Sequence, residues 1–208
     1  MDNGIWQTYA DAYAFFGNSL LKPLTQTQTV GLDPAFWGAF PDFGDDCVAG
    51  AVRVCKAQAQ RAQSDAEAGR DVVQDAAVEY TRLFVGPPSP AAPPWETMNR
   101  EEGVTVGFGQ PTFEMQEVLR GMGLAVGGES NQYADHMGIE LLALSEMCSR
   151  AQAGEFDGAD VSAFLEDRPL GWVDAFRAKV HEAFPGGYYD ALLGLAGALM
   201  KQHRNALA

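Results

Sequence analysis

The chain has 208 residues, of which 47% are hydrophobic and 11% aromatic. This composition supplies enough apolar side chains for a full core and excludes disorder along the whole chain. Its 28 acidic and 14 basic residues give a net charge of −14, which repels nucleic acid and anionic lipid and favours cationic partners. A surface that is acidic only for solubility is the simpler alternative. In both cases we expect no nucleic-acid partner and no stable membrane insertion.

The N-terminal stretch and the cysteines predict the cell compartment. The first basic residue is Lys22, so the stretch MDNGIWQTYADAYAFF lacks the positively charged region of a signal peptide. The longest near-continuous apolar run, at 191–200, has about half the length of a membrane span. Cys47, Cys55 and Cys148 include no CxxC pair and are typical of reduced thiols. These features predict a soluble, cytoplasmic protein.

Helical periodicity dominates the chain, because apolar residues recur every three or four positions. The first such stripe consists of Trp6, Tyr9, Tyr13, Phe16 and Leu20. Helices are predicted near 5–21, 70–84, 111–122, 134–152 and 188–203, with further stripes that begin at Val48, Val161 and Trp172. Only VTV at 104–106 resembles a strand, and it is too short to build a sheet.

These elements predict an all-α fold, a single-domain helical bundle over 1–208 with roughly eight to ten helices. The middle of the chain interrupts the helices with LFVGPPSPAAPPWETM at 83–98, which holds five of the eleven prolines. Proline lacks the N–H group and fixes φ, so this stretch is neither a helix nor a central strand. We expect a stiff crossing at about 85–110 that joins helical halves at about 1–84 and 111–208 and fixes Trp95 against a neighbouring element.

The densest polar cluster is DHMGIEL, which contains Asp135, His136 and Glu140. On a helix, His136 and Glu140 would share a face, and imidazole and carboxylate are common metal ligands. A structural histidine bonded to a carboxylate is the alternative. The sequence has no GxSxG motif, no Walker loop and no GxGxxG after a strand. We therefore predict a protein that is not an enzyme and has no catalytic residue, metal or cofactor. The competing hypothesis is a metal-dependent hydrolase or lyase that uses Asp135, His136 and Glu140.

Three stretches in order along the chain resemble the TorD/DmsD-type redox-enzyme maturation chaperones. They are YTRLFVGPPSPAAPPWETM, FGQPTFEMQEVLRGMGL and ADHMGIELLAL. The family pattern is roughly Y/W-x-x-L-F-x-G-P…P-P-W, F-G-x-x-T and E-P-x-D-H-x-G-x-x-L. The chain departs from it at Gln132-Tyr133, which replaces Glu-Pro. It also departs at Arg168 and Gly171, where the family commonly has histidine and proline.

The resemblance implies a cytoplasmic, all-helical chaperone. Such a protein binds the twin-arginine signal peptide and precursor of a molybdenum-containing oxidoreductase and assists cofactor insertion and folding before export. By position, it assigns signal-peptide binding to Tyr80, Leu83, Phe84, Pro94, Trp95, Gly109, Asp135 and His136. Core packing is the alternative for each aromatic residue, and a helical interaction module with another client is a third hypothesis. The family includes monomers and domain-swapped dimers. We favour a monomer, because the prolines stiffen the crossing.

Overall fold

A computed structural model describes residues 3–101, 103–127 and 132–208. Over these ranges the regular elements are helical and no strand is present, which confirms the predicted all-α fold. The α-helices are α1 (Asn3–Leu21), α2 (Pro34–Ala39), α3 (Asp46–Glu67), α4 (Val72–Tyr80), α5 (Thr97–Arg100), α6 (Gln110–Gly121), α7 (Met137–Gln152), α8 (Gly158–Asp167), α9 (Val173–Ala183) and α10 (Tyr188–Leu207). Within the described ranges, none of these helices is long and apolar enough to cross a membrane.

Local sequence signals explain where several helices begin. Asp33, Asp45, Asp71 and Asp157 are the N-caps of α2, α3, α4 and α8, and each carboxylate accepts a hydrogen bond from a backbone N–H of the first turn. Asp45 and Asp157 each accept from two backbone N–H groups, at 2.8 and 2.9 Å for Asp45 and at 2.8 and 3.0 Å for Asp157. Such a cap contributes about 1 kcal/mol, so each start is encoded locally.

The chain divides into two compact units, and each takes residues from both sides of the proline-rich crossing. The first unit comprises Met1–Leu21, Pro93–Phe176 and Leu207–Ala208, and the second comprises Lys22–Ala92 and Arg177–Ala206. The organisation as a single domain with halves at 1–84 and 111–208 stays a prediction.

In the first unit, α1 packs along α7. The predicted stripe of α1 is almost fully buried, with Tyr13 and Phe16 completely enclosed. Gly17 and Gly138 face each other where the two helices are closest, and a Cβ on either would lie 2.8 Å from the carbonyl oxygen of the other. A side chain at either position would therefore force the helices apart. The hydroxyl of Ser145 adds a hydrogen bond to the Ala10 carbonyl oxygen at 2.7 Å.

In the second unit, a buried carboxylate holds the start of α10. Glu79 of α4 accepts hydrogen bonds from the backbone N–H groups of Tyr188 and Tyr189 at 3.1 and 3.0 Å. Burial raises the pKa of Glu79, and the two N–H groups partly offset this effect. The end of α4 continues into one π-helical stretch, Thr81–Val85, from which the buried Leu83 and Phe84 extend.

Two helix boundaries differ from the predictions. The helix expected near 134–152 begins at Met137, so Asp135 precedes it and His136 is its N-cap with an extended backbone. His136 and Glu140 therefore do not share a face inside one helix. The helix expected near 70–84 is a regular α-helix only to Tyr80 and continues as the π-helical stretch to Val85. That stretch and α5, which begins at Thr97, make both ends of 83–98 helical, so the prediction that 83–98 contains no helix is wrong at its ends. Residues 104–106, which resemble a strand in the sequence, form none and build no sheet.

Candidate functional site

The end of the proline-rich crossing lies against the segment that precedes α7. Trp95 and His136 form an antiparallel bridge. The N–H of Glu96 donates to the Asp135 carbonyl oxygen, and the N–H of Met137 donates to the Pro94 carbonyl oxygen, both at 2.9 Å. Prolines hold the preceding backbone extended, so the crossing reaches this point in a conformation that can pair with another extended segment.

Asp135 is the centre of the hydrogen bonds around this bridge. Its side chain is fully buried, and Oδ2 accepts from the N–H of Thr97 at 3.0 Å and from the Thr97 hydroxyl at 2.6 Å. Oδ1 accepts from the Thr112 hydroxyl at 2.9 Å. The carboxylate thus binds the start of α5 and the first turn of α6. The two threonines lie 38 and 23 residues before Asp135 in the sequence.

Gly109 completes the junction between α5 and α6. It is the N-cap of α6, and its N–H donates to the Thr112 hydroxyl at 3.2 Å. A Cβ on Gly109 would lie 2.6 Å from the Thr97 methyl carbon, so only glycine fits without displacement. The stretches PPWET, FGQPT and ADH, which are separate in the sequence, therefore meet at one buried carboxylate.

His136 acts as a helix cap in its neutral form. Its Nδ1 accepts a hydrogen bond from the N–H of Gly138 at 3.0 Å, which places the ring proton on Nε2. Burial lowers the pKa of His136 to about 3, because the protonated ring would have to leave water. The imidazole also packs edge-on against the Trp95 indole, with 6.2 Å between ring centroids. His136 thus orients Trp95 without carrying charge at neutral pH.

Four aromatic residues form a continuous surface that begins at Trp95. Tyr133 lies 5.9 Å from Trp95, Phe108 lies 5.4 Å from Tyr133, and Phe113 lies 4.9 Å from Phe108, measured between ring centroids. Trp95 is half-buried, whereas Tyr133, Phe108 and Phe113 are 40, 43 and 51% exposed. Gly107 lets the backbone lie on these rings, because a Cβ there would be 3.1 Å from Tyr133. We call Trp95, Phe108, Phe113 and Tyr133 the aromatic surface.

A buried acidic pair lies directly beyond Trp95. Glu96 and Glu140 are both fully buried. Arg100 donates to one oxygen of Glu96, and Arg168 contacts the other at 3.4 Å. The indole N–H of Trp172 donates to Glu140 at 3.0 Å. Burial, together with the charge of Glu96, raises the pKa of Glu140 well above its ordinary value, which favours the protonated form of this carboxyl group.

Arg168 has a structural role at a position where the sequence departs from the family pattern. Besides Glu96, it donates to Glu114 of α6 at 2.8 Å, and this contact lowers the pKa of Glu114. Its side chain is mostly buried, and two carboxylates compensate its charge. Arg168 therefore connects the segment after α8 to both α5 and α6.

The geometry does not support the metal-dependent alternative. Asp135 is bound by two threonines, Nδ1 of His136 caps α7, and Glu140 accepts from Trp172. Within residues 3–101, 103–127 and 132–208, no group of three histidine, cysteine or acidic side chains could hold a metal ion. The polar cluster predicted from DHMGIEL thus divides into separate structural contacts.

The predicted binding residues are distributed over the two units. Pro94, Trp95, Gly109, Asp135 and His136 come together in the first unit. Tyr80, Leu83 and Phe84 belong to the second unit and are almost fully buried. There, the Tyr80 and Phe84 rings pack on each other and on Tyr189, with centroid distances between 5.1 and 5.7 Å.

Sequence analysis missed several residues of the site. Thr97 and Thr112 bind Asp135, and Phe108, Phe113 and Tyr133 form most of the aromatic surface. One local signal was available, because the Thr112 hydroxyl accepts from the N–H of Gly109 three residues earlier, as the N3 residue of a capping box does. Only that half of the box is present, since glycine has no side chain. The hydrogen bonds of Thr97 and Thr112 to Asp135 have no local signal in the sequence.

Comparison with known proteins gives a consistent result. A family model described as "Nitrate reductase delta subunit" matches residues 45–178, which is more than half of the chain. The chain is 26% identical over 144 residues to a protein named chaperone protein TorD from Vibrio cholerae serotype O1, a match that covers 66% of this chain and 64% of that protein. It is 29% identical over 105 residues to a chaperone protein TorD from Vibrio atlanticus, covering 48% of this chain and 49% of the relative. The corresponding protein of Shewanella pealeana is 29% identical over 94 residues, or 45% of this chain and 40% of the relative. The chain thus spans less than two thirds of the length of the curated relatives it matches.

Proposed function

Because the chain belongs to the nitrate reductase delta subunit family of TorD-type maturation chaperones, we propose that it is a cytoplasmic chaperone for a molybdenum-containing oxidoreductase. It binds the twin-arginine signal peptide of the enzyme precursor and assists cofactor insertion and folding before export. It acts as a monomer and catalyses no reaction of its own. The observation that carries this proposal is the junction at Asp135, where the three stretches that resemble the family meet.

The proposed binding residues divide into those that contact the peptide and those that position the contacts. Trp95 and Gly109 retain partly exposed surface, so they are the contact residues. Asp135, His136 and Pro94 are buried and fix the backbone around Trp95. A site that is rigid before binding loses less conformational entropy when the peptide binds.

Tyr80, Leu83 and Phe84 have a supporting role in this proposal. Their side chains are enclosed in the second unit and offer almost no surface to a ligand. They maintain the end of α4, from which the proline-rich crossing starts, and their contribution to peptide binding stays a prediction. Replacing them would first reduce the stability of the protein.

The charge of the chain suits a peptide with two adjacent arginines. A net charge of −14 attracts such a peptide at long range, and this attraction is damped over a Debye length of about 8 Å at physiological salt. Individual exposed ion pairs contribute only about 0.2–1 kcal/mol. Burial of the apolar run at roughly 25 cal/mol per Å² therefore supplies most of the affinity. We expect binding to weaken only modestly between low and moderate salt.

The test is a calorimetric titration with the twin-arginine signal peptide of a precursor captured from the native cell. The wild-type chain, Trp95→Ala and the control Val54→Ser are compared, because Val54 is 54% exposed on α3 and belongs to the second unit. We expect saturable one-to-one binding that Trp95→Ala weakens and Val54→Ser does not change. Failure to capture any oxidoreductase precursor would refute the proposed function. Absence of binding between the wild-type chain and the signal peptide of a captured precursor would refute it as well.

A further inference from the structure

We propose that the aromatic surface is the docking site for the apolar run of the signal peptide. This inference rests on the proposed function and assigns the peptide's apolar part to a defined place. Among the described residues, the three aromatic side chains that are largely exposed are Phe108, Phe113 and Tyr133, and all three belong to this surface. Scattered exposed apolar residues are ordinary, whereas a contiguous aromatic group marks an interaction site.

The surface continues into the residues proposed to bind the peptide. Tyr133 contacts Trp95, and Trp95 contacts His136. From this buried end the rings become progressively more exposed toward Phe113 on α6. A peptide that contacts Trp95 can therefore extend its apolar residues over Tyr133 and Phe108 without leaving the first unit. Aromatic rings are suited to such contact, since they offer a large apolar area with few rotatable bonds.

Charge favours the signal peptide over other occupants of this surface. A second copy of the chain would carry the same net charge of −14, so two copies repel each other at long range, and anionic lipid would also be repelled. A segment that combines arginines with an apolar run matches both properties of the chain, its acidic field and its exposed rings. The occupant is therefore a cationic peptide with an apolar run.

The competing location is an apolar cavity of about 330 Å³ in the same unit. It is lined by the end of α1, the end of α6, the turn at 124–127 and α7, with Leu142 and Val126 among its walls. Its lining contains none of the four residues of the aromatic surface. Variants can therefore distinguish the two locations.

The experiment measures binding of a fluorescent twin-arginine signal peptide by anisotropy. The test variant is Phe108→Ser/Phe113→Ser, the control is Val54→Ser, and Val126→Ser reports on the cavity. A second peptide, whose apolar run is replaced by serines, is titrated against each protein. Serine adds no charge, so long-range attraction stays the same in all variants.

We expect the double variant to lose about tenfold or more in affinity for the natural peptide. The serine peptide should bind wild-type and double variant equally weakly, because it cannot use the rings. If the double variant binds the natural peptide as Val54→Ser does, or if only Val126→Ser is impaired, the inference is wrong while the proposed function stands. If the wild-type chain binds neither peptide, the proposed function itself fails, and this inference with it. A wild-type dimer in sedimentation that is lost in the double variant would identify the surface as a contact between copies and also refute the inference.

Discussion

Replacement of Asp135 by alanine should destabilise the protein strongly, because this fully buried carboxylate accepts three hydrogen bonds. Thr97 contributes its N–H at 3.0 Å and its hydroxyl at 2.6 Å, and Thr112 contributes its hydroxyl at 2.9 Å. The threonine hydroxyls can rotate toward other acceptors after the change. The N–H of Thr97 cannot, so it becomes an unsatisfied donor.

The size of the effect follows from these three contacts. A hydrogen bond to a charged group contributes about 1.5–3 kcal/mol, and a buried donor left without a partner costs about 1–3 kcal/mol. Since the contacts share one acceptor and are not additive, we expect a total loss of about 3–5 kcal/mol in the free energy of unfolding. Asp135→Asn retains one acceptor oxygen and should lose about 1–2 kcal/mol. A domain with a stability near the middle of the usual range of about 5–15 kcal/mol remains folded after either change.

Urea unfolding, followed by far-UV circular dichroism, measures these differences. Asp157→Ala is the matched control, because Asp157 also accepts two backbone N–H groups, at 2.8 and 3.0 Å, but at an exposed helix start. Loss of that cap should cost about 1 kcal/mol. If Asp135→Ala costs no more than Asp157→Ala, the three motifs are not held together by this carboxylate and the description of the junction is wrong.

Three further predictions follow from the same region. Gly109→Ala should lose about 1–3 kcal/mol of stability, because its Cβ would overlap Thr97. The control Gly121→Ala should lose none, because its Cβ meets nothing within 4 Å. Equal effects of the two changes would contradict the close packing of Gly109 on Thr97. Because the pKa of Glu140 is raised in the folded chain, stability should fall as pH rises above about 4.5, where the unfolded chain releases this proton. Glu140→Gln should flatten this fall, and an unchanged slope would contradict the raised pKa. His136 has a pKa of about 3 when folded and about 6.5 when unfolded, so the stability of the protein should fall as pH drops from 7 to 5. His136→Asn keeps a helix cap and should reduce that loss. A loss in the variant as large as in the wild-type chain would contradict a neutral His136.

Signals within a few residues of sequence determined the helices of this protein. The stripe from Trp6 to Leu20 predicts α1 because helical periodicity is a local property, and the structure buries that stripe. Aspartates at the starts of α3 and α8 specify caps in the same local way. The start of α7 was predicted three residues early. The apolar pattern gives no sign that His136 is extended and pairs with Trp95, which delays the start of the helix to Met137.

Only the tertiary structure decided what the polar residues do. The competing hypothesis drawn from DHMGIEL placed three groups in one metal site, yet Asp135 binds threonines 38 and 23 residues away, and Glu140 binds Trp172, 32 residues away. Burial then lowers the pKa of His136 and raises that of Glu140, and the sequence does not encode this burial locally. Hydrogen bonds and desolvation depend on which segments meet in space, whereas helix propensity depends on neighbours along the chain. For that reason the sequence alone determined most of the helices, and the packed structure determined the site.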